Sequence, residues 1–90
     1  FVSNIFSSYM TSDIRLKTNI IKQKTFNNGL GWYTWDWVEK ALPLSKVDPN
    51  ITEGFIAQEV EKVYPELVST IDNYLAIMFD EVLHRTRGEE

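Results

Sequence analysis

Ser12, Asp13, Arg15 and Lys17 fall within six residues, in the run Ser-Asp-Ile-Arg-Leu-Lys. A hydroxyl and an amine this close could act as a Ser-Lys dyad, an alternative to the serine triad. The lysine would have to be neutral to take the serine proton, so burial must lower its pKa by several units. In an extended strand, side chains five apart point to opposite faces, so contact between Ser12 and Lys17 requires a turn or a short helical wrap. The bland reading of the same stretch is a helix N-cap, because Ser-Asp before an apolar residue is a common capping pair. Spacing alone leaves both readings open.

Other chemistries are poorly supplied. His84 is the only histidine and there is no cysteine. No Gly-x-Ser-x-Gly elbow is present. The acidic residues are scattered without metal-ligand spacing. His84 therefore reads as a surface or interface residue, and no metal or cofactor is expected. A net charge of −4 with no basic run argues against nucleic acid as a partner. No apolar run approaches the roughly 20 residues of a membrane span, so no membrane partner is expected. There is no signal peptide and no initiating Met, and a chain that opens on Phe1 is expected to be a fragment or processed piece.

Ninety residues make one small domain. A chain this short buries only about 60% of its unfolded surface and is marginal alone. Without disulfides, oligomerisation is the remaining common remedy. Three Trp, four Tyr and five Phe are a large apolar load for so small a core. Part of it is expected at a subunit interface.

The elements that must position the Ser12 stretch can be read in order. Residues 1–11 show helical apolar spacing and read as the end of a preceding stem segment, with the domain proper over 12–90. Asn27-Asn28-Gly29 is the clearest turn, expected as type I′, joining strands over 19–26 and 30–38. In the return strand Tyr33, Trp35 and Trp37 share a face. That face reads first as core or interface, and second, with Trp32, as a carbohydrate platform. A loop over 42–52 follows, then a short buried strand over 55–57. A helix over 58–64 ends at Pro65, with Val60, Val63 and Tyr64 inward and Glu59, Glu61 and Lys62 outward. An extended piece over 67–70, a turn at Asp72-Asn73 and a strand over 74–79 lead to a short helix capped by Asp80. The last residues, 85–90, are expected to fray. The order gives an α+β fold with a small, largely antiparallel sheet and short helices.

Two blocks carry a resemblance. Ser12, Asp13, Arg15 and Lys17 match the Ser-Asp-x-Arg-x-Lys signature of the self-cleaving intramolecular chaperone domains at the C-terminal ends of phage tail fibres and tailspikes, the endosialidase type. Gly54 to Val60, followed by Tyr64-Pro65-Glu66, resembles the second block of the same domains. The Asn28-Gly29 turn, the aromatic strand and the strand over 74–79 also resemble short phage versions. The likeness covers about Ser12 to Val82.

The resemblance implies a homotrimer at the end of a fibre or spike chain, with the upstream shaft of the same chain as its partner. It implies Ser12 as nucleophile and Lys17 as general base of an autocatalytic cut near Ser12. Asp13 and Arg15 would hold the motif, and Gln58 and Glu59 would support the site or a trimer contact. The location implied is the virion, after assembly in the bacterial host cytoplasm. The alternative is the same fold kept uncut as a trimeric structural or receptor-binding tip. A carbohydrate-binding tip is a weaker reading, and a diffusible protease the weakest.

Overall fold

The computed structural model describes residues 9–90. Most of the expected order of elements is present, but the strands form two sheets rather than one. Strands β2 (Lys17–Thr25), β3 (Gly31–Trp37) and β4 (Glu53–Gly54) make an antiparallel sheet in that order. Strands β1 (Tyr9–Thr11), β6 (Tyr74–Met78) and β5 (Val68–Ile71) make a second antiparallel sheet, in the order β1-β6-β5. Helix α1 (Ala57–Val63) lies between β4 and β5 in the chain, and α2 (Phe79–Gly88) follows β6. The second sheet exists because Tyr9, Met10 and Thr11 pair with Met78, Ile77 and Ala76. These three residues are strand, not helix. The rest of the segment read as helical, residues 1–8, lies outside the described residues.

The hairpin over β2 and β3 forms as expected, but its turn differs. Of Asn27, Asn28 and Gly29 only Gly29 has positive φ, at 91°. The loop is closed by Phe26 N–H donating to the Leu30 carbonyl at 2.8 Å. A type I′ turn needs positive φ at both central residues. Asp72 and Asn73, at 54° and 70°, meet that demand in the two-residue loop joining β5 to β6. Asn28 uses its side chain instead, accepting from Leu30 N–H and donating to the Tyr64 and Thr86 hydroxyls.

Alternation along β3 buries Tyr33 and Trp35 and half-buries Trp37, so the aromatic stripe is a packed face. Ile56 packs against it. The main core gathers Leu30, Phe55, Val60, Leu67, Ile77 and Val82 between the sheets and the helices. A third cluster, Leu16 with Ala41 and Val47, closes the end where the loop over 42–52 folds back.

In α1, Ala57 and Val60 face the core and Tyr64 is buried just past its end, while Val63 is exposed. Pro65 then opens a 3-10 turn over Pro65–Leu67. Glu59 corrects the outward assignment: it reaches β3, accepting from Gly31 N–H at 3.1 Å and Tyr33 O–H at 2.5 Å. Asp80 is not the cap of α2; Met78 holds that position, and Asp80 and Glu81 sit in the first turn, where they complement the helix dipole. The C-terminal stretch does not fray at residue 85. Thr86 is buried, and Arg85 pairs with Glu81 and Glu66. His84 is exposed.

Gly54 is a backbone requirement. Its φ of +149° is a conformation that side chains rarely adopt, and a Cβ there would sit 3.4 Å from Trp35 Cη2. Gly54→Ala is expected to cost about 1–3 kcal/mol. Urea denaturation checks this: the midpoint should fall while the slope of the transition stays unchanged.

Candidate active site

A single 3-10 turn, Ile14–Leu16, separates Ser12 from Lys17. Asp13 starts it as N-cap, its Oδ1 accepting from Arg15 N–H at 2.8 Å. Leu16 N–H donates back to the Asp13 carbonyl at 3.1 Å. Extended chain would carry residues five apart about 17 Å from one another. The turn instead brings Lys17 Nζ to 2.7 Å from Ser12 Oγ. The capping and dyad readings of this stretch are therefore compatible, with Asp13 capping and the Ser12 hydroxyl left for Lys17.

Both side chains are dry: Ser12 is 7% exposed and Lys17 6%. Lys17 Nζ also donates to the Ser12 carbonyl at 3.2 Å and to the Phe55 carbonyl at 2.9 Å. Its three protons thus have three acceptors. The Ser12 hydroxyl donates to the same Phe55 carbonyl at 2.5 Å. Beneath the amine lies the Trp35 ring, 3.6 Å from Nζ to centroid. Burial pushes the Lys17 pKa down to about 7, against the opposing pull of the Asp13 and Glu59 carboxylates. Burial wins because it removes the water that holds an ammonium charge.

Asp13 is the rigid part. It has no solvent exposure, and its carboxylate accepts from Arg15 Nε and Nη2, Arg15 N–H, Gln58 Nε2 and Leu75 N–H. Burial alone would raise its pKa, but the Arg15 side chain, the Leu75 and Arg15 amides and Gln58 together hold it well below the usual carboxylate range. Arg15 extends from there to the Asn73 carbonyl at 2.9 Å and over the Tyr74 ring. Its side chain is half exposed, so its ion pair with Asp13 serves geometry more than stability.

The second block meets the first residue by residue. Ala57 N–H, the first donor of α1, goes to the Ser12 carbonyl at 2.8 Å. Gln58 bridges, donating to Asp13 Oδ1 and accepting from Ile14 N–H. Glu59 does not touch the dyad; it holds β3, and burial followed by its carboxylate pushes the Tyr33 phenol up to about 12.

A family model described as chaperone of endosialidase matches residues 12–69. The chain belongs to the chaperone-of-endosialidase family. The match begins at Ser12 and ends in β5, so it spans both blocks and the hairpin between them. No curated protein and no solved structure matches the chain.

Three contributors had no sequence signal of their own. Phe55 acts through its carbonyl and Leu75 through its backbone, which any residue type could supply. Trp35 was visible only as a member of the stripe; its place under Lys17 follows from the β2–β3 register, which sets Lys17 opposite Trp37. Among the described residues no three His, Cys, Asp or Glu side chains cluster to hold a metal ion. No helix is long and apolar enough to cross a membrane.

The lowered pKa has a consequence for stability. Unfolded Lys17 binds its proton up to about pH 10.4, whereas the folded group releases it near 7. The unfolded state thus holds more protons between these values, so stability rises with pH across the window. Urea denaturation from pH 7 to 9 should show a gain of about 2 kcal/mol. Lys17→Met should remove that slope.

Proposed function

We propose that this domain is the C-terminal assembly chaperone of a phage tail fibre or tailspike, acting as a trimer and released by its own Ser12 with Lys17 as general base. The observation that carries the reading is the 2.7 Å contact of Ser12 Oγ and Lys17 Nζ in a dry site. A lysine that titrates near neutrality is a competent base there.

When Lys17 is neutral, its two remaining N–H bonds suit the Ser12 and Phe55 carbonyls, and its lone pair faces Ser12 Oγ. The hydroxyl proton then leaves the Phe55 carbonyl and passes to Nζ. The oxygen forms a bond to the carbonyl carbon of a peptide at the edge of the motif, and the π pair moves onto the carbonyl oxygen. Collapse breaks the C–N bond, and Lys17 returns the proton to the leaving nitrogen. Water then attacks the Ser12 ester, giving its proton to Lys17; the ester C–O bond breaks, and Lys17 returns that proton to Ser12 Oγ, restoring the hydroxyl and the neutral amine.

The trimer explains why such chemistry would sit at a fibre end. Joining three chains at one end removes much of the association and loop-closure cost from a slow, non-local β topology. Cutting the chaperone away afterwards leaves the shaft kinetically trapped. The edge strand β2 carries nine residues with Ile21 60% exposed, and Leu42 and Ile51 are also exposed. These are apolar positions that association would cover. The virion is the corresponding location, with assembly in the bacterial host cytoplasm.

The test is the intact mass of the full-length parent chain. Wild type should yield a shorter product whose terminus identifies the bond. Ser12→Ala and Lys17→Met should stay whole, as should Lys17→Arg, since a guanidinium does not deprotonate. The cleavage rate should rise with pH to a plateau, half-maximal near 7. A single uncut mass for wild type would refute self-cleavage.

A further inference from the structure

Strand β1 lies upstream of Ser12 in the chain. A cut at either bond flanking Ser12 therefore leaves Tyr9–Thr11 at the end of the shaft, while β6 stays with the chaperone. These residues are nonetheless built into the chaperone's sheet, with Tyr9, Met10 and Thr11 opposite Met78, Ile77 and Ala76. Ser12 N–H donates to the Leu75 carbonyl at 3.0 Å. Antiparallel alternation makes Met10–Ile77 the next pair to exchange backbone hydrogen bonds. Thr11 N–H accordingly points the other way, to the Lys46 carbonyl at 2.9 Å.

The slot that β1 fills is apolar. Met10 and Thr11 wall a cavity of about 360 Å³ together with Ile77 and Phe79. Thr11 is buried, and so are Ala76 and Ile77 across from β1. Among the described residues the sheet runs β1-β6-β5, so β1 alone covers that side of β6. Removing it would leave β6 a bare edge, with unpaired backbone groups beside core residues. Breaking one peptide bond at Ser12 removes none of these contacts.

We infer that β6 and the cavity beside it form a strand-binding site for the shaft's own terminal residues, Tyr9–Thr11, so that self-cleavage leaves the chaperone attached and release waits for β1 to peel away. This rests on the self-cleavage proposed above. The recognition is β-augmentation: ladder bonds hold the backbone, and Ile77 gives Met10 an apolar cross-strand neighbour. One strand of three residues is a weak tether. In a trimer three such strands join the same two bodies, and each one that opens is kept near its slot by the other two. Cleavage and departure become separate steps, the second set by the local opening of β1.

The test uses the full-length parent after cleavage, with denaturing mass verifying that the chains are cut. Size-exclusion chromatography in native buffer reads attachment. Hydrogen exchange at Ile77 N–H reads the slot, with the uncut Ser12→Ala parent as reference. Shaft and chaperone should elute as one particle in equal amounts. Ile77 N–H should exchange as slowly as in Ser12→Ala and lose that protection when urea separates the pieces. Pieces that elute apart in native buffer would overturn the inference and leave the Ser12–Lys17 reading intact. One particle in which Ile77 N–H exchanges faster than in Ser12→Ala would overturn it too, because the attachment would then lie outside β1. An uncut wild type would remove the reading and the inference together.

Discussion

The arrangement depends on keeping the Lys17 amine dry. Water would restore an ammonium with an ordinary pKa, and a charged lysine has no lone pair for Ser12. The fold excludes water from three directions: the Trp35 ring beneath, the Phe55 carbonyl on one side and the Ile14–Leu16 turn on the other. The cost of that burial is carried by the surrounding framework. Asp13, with five donors converging on it, is the post to which the turn, α1 and β6 are all tied.

This constraint also explains why the two sequence blocks need each other. The first block supplies the hydroxyl, the amine and the carboxylate. The second supplies the Gly54 bend beside Trp35, the Phe55 carbonyl that both Ser12 and Lys17 use, and the Ala57 and Gln58 donors that hold the first block. Helix α1 has no side-chain cap. The Ser12 carbonyl takes its first N–H, so helix terminus and site complete each other. The family match over residues 12–69 contains both partners of this contact.

Much of this could be read from the sequence, for physical reasons. Alternation along β3 and the periodicity of α1 report burial directly, so the aromatic strand and the helix were placed within a residue or two. The misses share a different cause. The type I′ turn sits at Asp72-Asn73 rather than at Asn28-Gly29, because Asn28 satisfies tertiary partners that local propensity does not reveal. Glu59 turns inward because Tyr33 offers it a hydroxyl. Strand β1 pairs with β6, nearly seventy residues away in the chain, and no local pattern encodes such a pairing. In the site, side-chain chemistry was legible and backbone chemistry was not: Ser12 and Lys17 stand out by type, whereas Phe55 contributes only its carbonyl.

The central claim is that Lys17 is a neutral base at working pH. Its most direct test is an NMR titration of the Lys17 side chain, following the 13Cε shift in the intact Ser12→Ala domain and assigning it against Lys17→Met. The account predicts a midpoint near 7. A midpoint near 10.4, the ordinary lysine value, would mean that Lys17 stays charged and cannot take the serine proton.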